Sequence, residues 1–97
     1  MSVTIILEIK AKPGTSSEII DNLREVLPDT RRYDGCVGLK TYLNQENPDV
    51  IVLVEEFESR EKYSKYLSWR QNTGVFDKLA SKLQEPPSIR YFDLTDV

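Results

Sequence analysis

At 97 residues, with 39% hydrophobic and 30% charged side chains, the chain has the composition of one globular domain, too short for two and too apolar for a disordered segment. Its formal charge of −3 is dispersed, without the basic footprint of a nucleic-acid surface, so nucleic acid is not expected as a partner. Histidine is absent, which excludes a His general base, a His-based triad and His ligation of zinc or haem.

The first ten residues hold Glu8 and Lys10 inside their apolar stretch and lack the basic start of a signal peptide. No run approaches the roughly 20 apolar residues that span a bilayer. A cytoplasmic protein with no membrane partner is expected. Cys36 alone offers no intrachain disulfide, as in a reducing compartment.

Residues 3–11 alternate, with Val3, Ile5, Leu7, Ile9 and Ala11 on one face and Thr4, Ile6, Glu8 and Lys10 on the other, the pattern of a half-buried strand. Thr15 followed by Glu18 has the spacing of a capping box. Ile19, Ile20, Leu23, Val26 and Leu27 then lay an apolar stripe along a helix, which Pro28 is expected to limit. After a polar connection over 29–35, a second strand is expected from about Cys36 to Leu43, a turn over 44–49, and a third strand through the apolar run 50–54 to Phe57. Ser59 is a candidate N-cap with Glu61 in the first turn. Tyr63, Tyr66, Leu67 and Arg70, then Val75, Phe76, Leu79 and Leu83, mark a long helical region. It is broken at Asn72-Thr-Gly74, since glycine costs about 1 kcal/mol in a helix interior. Glu85-Pro-Pro87 stops it, and residues 88–94 read as the last strand. The order is βαββαβ, an α+β ferredoxin-like domain over residues 1–97 with a four-stranded antiparallel sheet.

Two helical regions cover one face of such a sheet, and the other is normally polar. Here residues 50–54 are apolar without a break, and strand two carries Val37, Leu39 and Leu43 on one face, Gly38 and Tyr42 on the other. At about 25 cal/mol per Å² of apolar surface, a wet face of this kind forgoes free energy comparable with the stability of a small domain. A second copy of the chain is the simplest cover. The alternative is a central strand whose outer face is merely less polar than average.

No GxGxxG or GxxxxGK[ST] marks a nucleotide site. Cys36 has no His partner and reads as packing. Glu55 and Glu56 are adjacent on a strand and point to opposite faces, so they are not a cooperating acid/base pair. The most distinctive group is Tyr63, Tyr66, Trp69 and Arg70, whose helical spacing can line one concave surface. Phenols, an indole and a guanidinium suit a planar aromatic or quinone-like ligand, though the same residues fit core anchors and a surface arginine. Arg31 and Arg32 suit an anion or a solvated loop. Arg90, flanked by apolar neighbours, is expected to be paired or partly buried.

The βαββαβ order, Pro28-Asp-Thr-Arg31 followed by Gly35-Cys36, Glu55-Glu-Phe57-Glu-Ser59 and the closing Pro87-Ser-Ile-Arg-Tyr-Phe92 together resemble the antibiotic biosynthesis monooxygenase domain. The resemblance implies a homodimeric α+β barrel whose sheets face one another, with a pocket in each subunit between sheet and helices. Several members oxidise aromatic substrates with molecular oxygen and neither metal nor flavin, the substrate carbanion donating an electron to oxygen. Others degrade haem or act on signalling molecules. Catalytic members carry an Asn and a Trp that align with Leu53 and Phe57, and the His common on the second helix falls near Tyr66, so haem degradation is not expected. Tyr63 matches a pocket Tyr. The expectation is a cofactor-free monooxygenase for a small aromatic or quinone-type molecule. In it Tyr63, Tyr66 and Arg70 are catalytic, and Trp69, Phe57, Leu53 and Arg90 bind substrate. The alternatives are a non-catalytic dimeric binding module, and an isomerase or decarboxylase with Glu55 as base.

Overall fold

The computed structural model describes residues 2–97; Met1 lies outside them. The alternating run near the N-terminus becomes β1 (Val3–Lys10), at the middle of the sheet. It is followed by α1 (Ser16–Arg32), β2 (Cys36–Leu43), β3 (Val50–Phe57), α2 (Arg60–Asn72), α3 (Val75–Ala80) and β4 (Ser88–Phe92). The strands lie in the order β2-β3-β1-β4, every neighbouring pair antiparallel. Opposite Leu7 in β1 stand Leu53 of β3 and Ile89 of β4. That register sends Val3, Ile5, Leu7, Ile9, Ile51, Leu53, Glu55 and Phe57 to the helix-covered face, all of them buried.

The other face carries Ile6, Val52 and Val54, half-buried at the centre, with exposed Tyr42 and Phe92 on the outer strands. Val37 is not part of the Leu39 face. The register of β2 shifts between Cys36 and Gly38, and this bulge ejects Val37 to 56% exposure.

Helix α1 runs through Pro28 to Arg32, four residues beyond the expected limit. Proline removes one backbone bond, and what holds the last turn is tertiary: Thr30 is wholly buried and hydrogen-bonded to Tyr66 of α2. The capping box does not form. Thr15 Oγ1 donates to the Lys12 carbonyl at 2.7 Å, and Glu18 pairs with Lys82 at 2.7 Å, whose hydrogen bond and charge hold the Glu18 carboxyl below its ordinary range. At α2 the expected cap is present, Ser59 Oγ accepting from Lys62 N at 3.1 Å. The turn before β2 needs Gly35, with φ of +96° and a Cβ position only 2.6 Å from the Lys62 side chain.

The helical region breaks at Gly74, whose φ is +80°. Helix α3 ends at Ala80, short of Leu83, which is buried and bridges to Ala11 beside β1. Gln84 N donates to the Lys10 carbonyl at 2.8 Å, so strand-edge pairing replaces the last helical turn. Strand β4 likewise stops at Phe92, where its pairing with β1 runs out at Thr4.

The core has two halves. One is aliphatic and built on Ile9, Ile19, Leu23, Leu27, Ile51 and Leu83. The other is aromatic, with Phe57, Tyr63 and Tyr66 packed on Val3 and Ile5, and Tyr33, Trp69 and Tyr91 around them.

Candidate active site

Where the two halves meet, β1, β3, α1, α2 and α3 enclose a cavity of about 50 Å³, lined among others by Leu53, Glu55, Tyr63, Tyr66, Arg70 and Leu79. The strand period places Glu55 here and its neighbour Glu56 on the opposite, exposed side. Tyr63, Tyr66 and Arg70 arrive together because positions three, four and seven apart share one face of α2.

Arg70 is 5% exposed, and no carboxylate among the described residues pairs with it. Its Nη2 donates to the Val26 carbonyl at 2.6 Å and to Thr30 Oγ1 at 2.8 Å, and its Nε donates to Tyr66 Oη at 3.1 Å. The Thr30 and Tyr66 hydroxyls lie 2.7 Å apart. Both oxygens accept from the guanidinium, so one hydroxyl donates to the other. With Thr30 as donor, the phenolic hydrogen of Tyr66 is left for a substrate oxygen. Burial pushes the Tyr66 phenol up, while the bonds to Thr30 and Arg70 pull it back. Tyr63 is pushed up strongly, by burial first and by Glu55 second. Both phenols are therefore donors at neutral pH.

Glu55 is 3% exposed and hydrogen-bonds to no protein group among the described residues. Burial raises its carboxyl from 4.5 to about 7, the range in which a carboxylate serves as a general base at neutral pH. A buried acid without a partner costs stability and is a mark of function where it lines a cavity. The arrangement thus combines a near-neutral base, a phenol and a guanidinium whose charge no carboxylate offsets. Together they can take a proton from a bound molecule and hold the anion that results.

The other sequence candidates divide. Leu53 lines the cavity, and Phe57 packs behind it against Tyr63 and Tyr66, with ring centroids 5.2 and 5.4 Å away. Trp69 does not line it. The indole packs beside Tyr66, ring centroids 6.1 Å apart, on the side away from Tyr63, stacked on Tyr33 at 5.1 Å and with the Arg70 guanidinium 4.3 Å from its ring. Six residues from Tyr63 is a rotation of about 240° on a helix, which turns Trp69 away. Arg90 is on the open face of the sheet, its side chain 53% exposed and 4.0 Å from Glu8; neither Trp69 nor Arg90 reaches the cavity. Arg32 pairs with Asp29, and Arg31 donates to the Leu39 carbonyl at 3.5 Å. Thr30 is not among the sequence candidates, because Pro28 is expected to limit the helix; its signal is the spacing Leu23, Leu27, Thr30 on the buried face of α1. No cluster of three or more metal-ligating side chains exists among the described residues, and none of their helices is long and apolar enough to cross a membrane.

Similar solved structures cover nearly the whole chain. A protein of Mycobacterium tuberculosis is 20% identical, with 100% of this chain and 98% of that one covered and a TM-score of 0.86. A conserved protein of Methanosarcina mazei is 17% identical over 95% and 91% of the two chains, at 0.86. A third, an antibiotic biosynthesis monooxygenase, is 17% identical over 96% and 98%, at 0.85. At these identities the likeness is one of fold. No curated protein matches the chain. The sequence profile described as antibiotic biosynthesis monooxygenase matches residues 2–73, from β1 to the end of α2, leaving the closing Pro87–Phe92 motif outside the match. By that match the chain belongs to the antibiotic biosynthesis monooxygenase family.

Proposed function

We propose that this chain is a cofactor-free monooxygenase acting on a small aromatic or quinone-type molecule, and that Glu55 is its base. The observation that carries the reading is the unpartnered, near-neutral Glu55 carboxyl sharing one cavity with Arg70, whose buried guanidinium meets no carboxylate. In this scheme Glu55 takes the acidic C–H or O–H proton, and Tyr66 and Arg70 hold the enolate or phenolate oxygen. The carbanion passes an electron to molecular oxygen and the two radicals combine. For a methylene substrate the resulting hydroperoxide loses water to give the ketone, so that one oxygen atom enters product and the other leaves as water. Tyr63 donates from the far side. A substrate of this size needs more room than 50 Å³, and α2 and α3 part at Gly74 to admit it.

A second reading rests on the same carboxyl. Proton transfer without oxygen, as in an isomerase or decarboxylase, uses Glu55 and Arg70 identically. A third, a binding module without turnover, is favoured by Leu53 and Phe57, which stand where catalytic members carry Asn and Trp. Oxygen uptake by metal-free protein on a panel of anthrones and hydroquinones separates them. Uptake is expected, falling about 100-fold or more in Glu55→Gln, since a general base contributes about 10²–10⁴-fold, and falling less in Tyr66→Phe. Turnover that proceeds without oxygen selects the second reading, and binding without turnover the third.

The chain acts in the cytoplasm as a homodimer. Supporting this are the half-buried Ile6, Val52 and Val54 and the exposed Tyr42 and Phe92 on the face that no helix covers. Sedimentation equilibrium is expected to give twice the 11.2 kDa chain mass; a monomer at micromolar concentration would sink the idea.

A further inference from the structure

We propose that the groove between α1 and β2 is a second binding site, for a small organic anion with an apolar body, an aryl or medium-chain carboxylate. The groove has a volume of about 630 Å³, within the range of about 300–1,000 Å³ that small-molecule sites occupy. It adjoins the Glu55 cavity, with Leu23 and Leu27 as the shared wall, and the proposal does not depend on what happens there.

Two observations converge on the occupant. The floor is apolar, with Leu23 and Leu27 contributed by α1 and Leu39 and Leu43 by β2. The rim is cationic, formed by Arg24 and Arg31, seven residues apart and so on one face of α1, and by Lys40 of β2. No acidic residue lines the groove, in a chain whose net charge is −3. Arg24 is engaged by Asp21, but neither Arg31 nor Lys40 has a carboxylate within 4.0 Å among the described residues.

An amphipathic carboxylate answers both: its body covers the leucines, and its oxygens accept from Arg31 and Lys40 in charge-assisted bonds. A neutral ligand leaves the rim unanswered, and a small hydrophilic anion leaves the floor wet. Because β2 is an edge strand, the groove is open along its length to a ligand from solution.

The test is a titration of isotope-labelled protein with naphthoate and with its neutral counterpart naphthalenemethanol, following backbone amide shifts. Naphthoate is expected to give saturable shifts confined to residues 20–31 and 39–43, with affinity that falls as salt is added. Naphthalenemethanol, and the Arg31→Gln/Lys40→Gln variant with naphthoate, are each expected to bind about tenfold more weakly, the loss of a charge-assisted contact. Shifts centred on Tyr63 to Arg70 instead, equal affinity for the neutral analogue, or no saturable shift in the groove would overturn the proposal.

Discussion

The aliphatic half of the core and the cavity beside it are built from the same elements, and they treat polarity in opposite ways. Around Ile19, Leu27, Ile51 and Leu83 the buried cluster consists of aliphatic side chains alone. At the junction with the aromatic half, Glu55, Thr30 and Arg70 are buried as well, and the guanidinium is held by two hydroxyls and a carbonyl rather than by an anion. Burial in the first region stabilises the fold; in the second it shifts protonation at a cost to stability. The domain thus separates the part that keeps it folded from the part able to do chemistry, and each region should respond to substitution in its own way.

The largest effect is expected in the aliphatic half. Ile19 is fully buried, and Ile19→Ala should cost about 2–5 kcal/mol of stability, read from denaturant unfolding, with residual turnover per folded molecule unchanged.

Glu55→Gln should do the reverse. The folded carboxyl is raised from 4.5 to about 7, so the folded state binds its proton more tightly than the unfolded chain does. Stability from this group is fully present below the ordinary carboxylate value and is lost as pH rises through about 7. The wild type should lose about 3 kcal/mol across that window, whereas Gln cannot titrate. Thermal unfolding between acid and mild alkali should therefore slope for the wild type and stay flat for the variant, which becomes the more stable protein at the alkaline end and the less active one throughout. Parallel slopes would mean that Glu55 titrates normally.

Thr30→Val is smaller and sharpens the contrast from within the polar region. It deprives Arg70 Nη2 of an acceptor and Tyr66 of its neighbour, costing about 1–3 kcal/mol. Turnover should fall as well, because the arginine and the phenol lose their orientation.

These two regions were not equally legible in the sequence. The aliphatic half follows from periodicity, since alternating residues in β1 and the stripe of α1 each identify the buried face unaided. The βαββαβ order follows from the same patterns and from Gly74. The polar region resisted for physical reasons. Glu55 and Glu56 are equivalent as letters, and only the register of β3 between β1 and β2 decides which one is buried. Tyr63, Tyr66 and Arg70 were visible as a group because helical spacing is local, and Trp69 was drawn in with them although its angle on the helix carries it outside. Arg90 follows the face of β4 that its pairing with Ile6 selects. Thr30 lay behind a proline whose cost the rest of the helix absorbs. The groove was not legible at all, since Arg24, Arg31 and Lys40 come together only when α1 lies across β2.

The break at Gly74 gives the cavity wall a stability of its own. Six residues are too few for a helix to persist by itself in water, and α3, Val75–Ala80, is joined to α2 only through a left-handed glycine and a threonine turn. What keeps it in place is the burial of Leu79, with Val75 and Phe76 half-buried beside it. Detaching that segment leaves the sheet, α1 and the ladder hydrogen bonds intact, so it draws on a small share of the global folding free energy. The enclosed volume of about 50 Å³ is accordingly a property of the docked segment. Under the proposed function, the size of substrate admitted is then set by how readily those six residues come away.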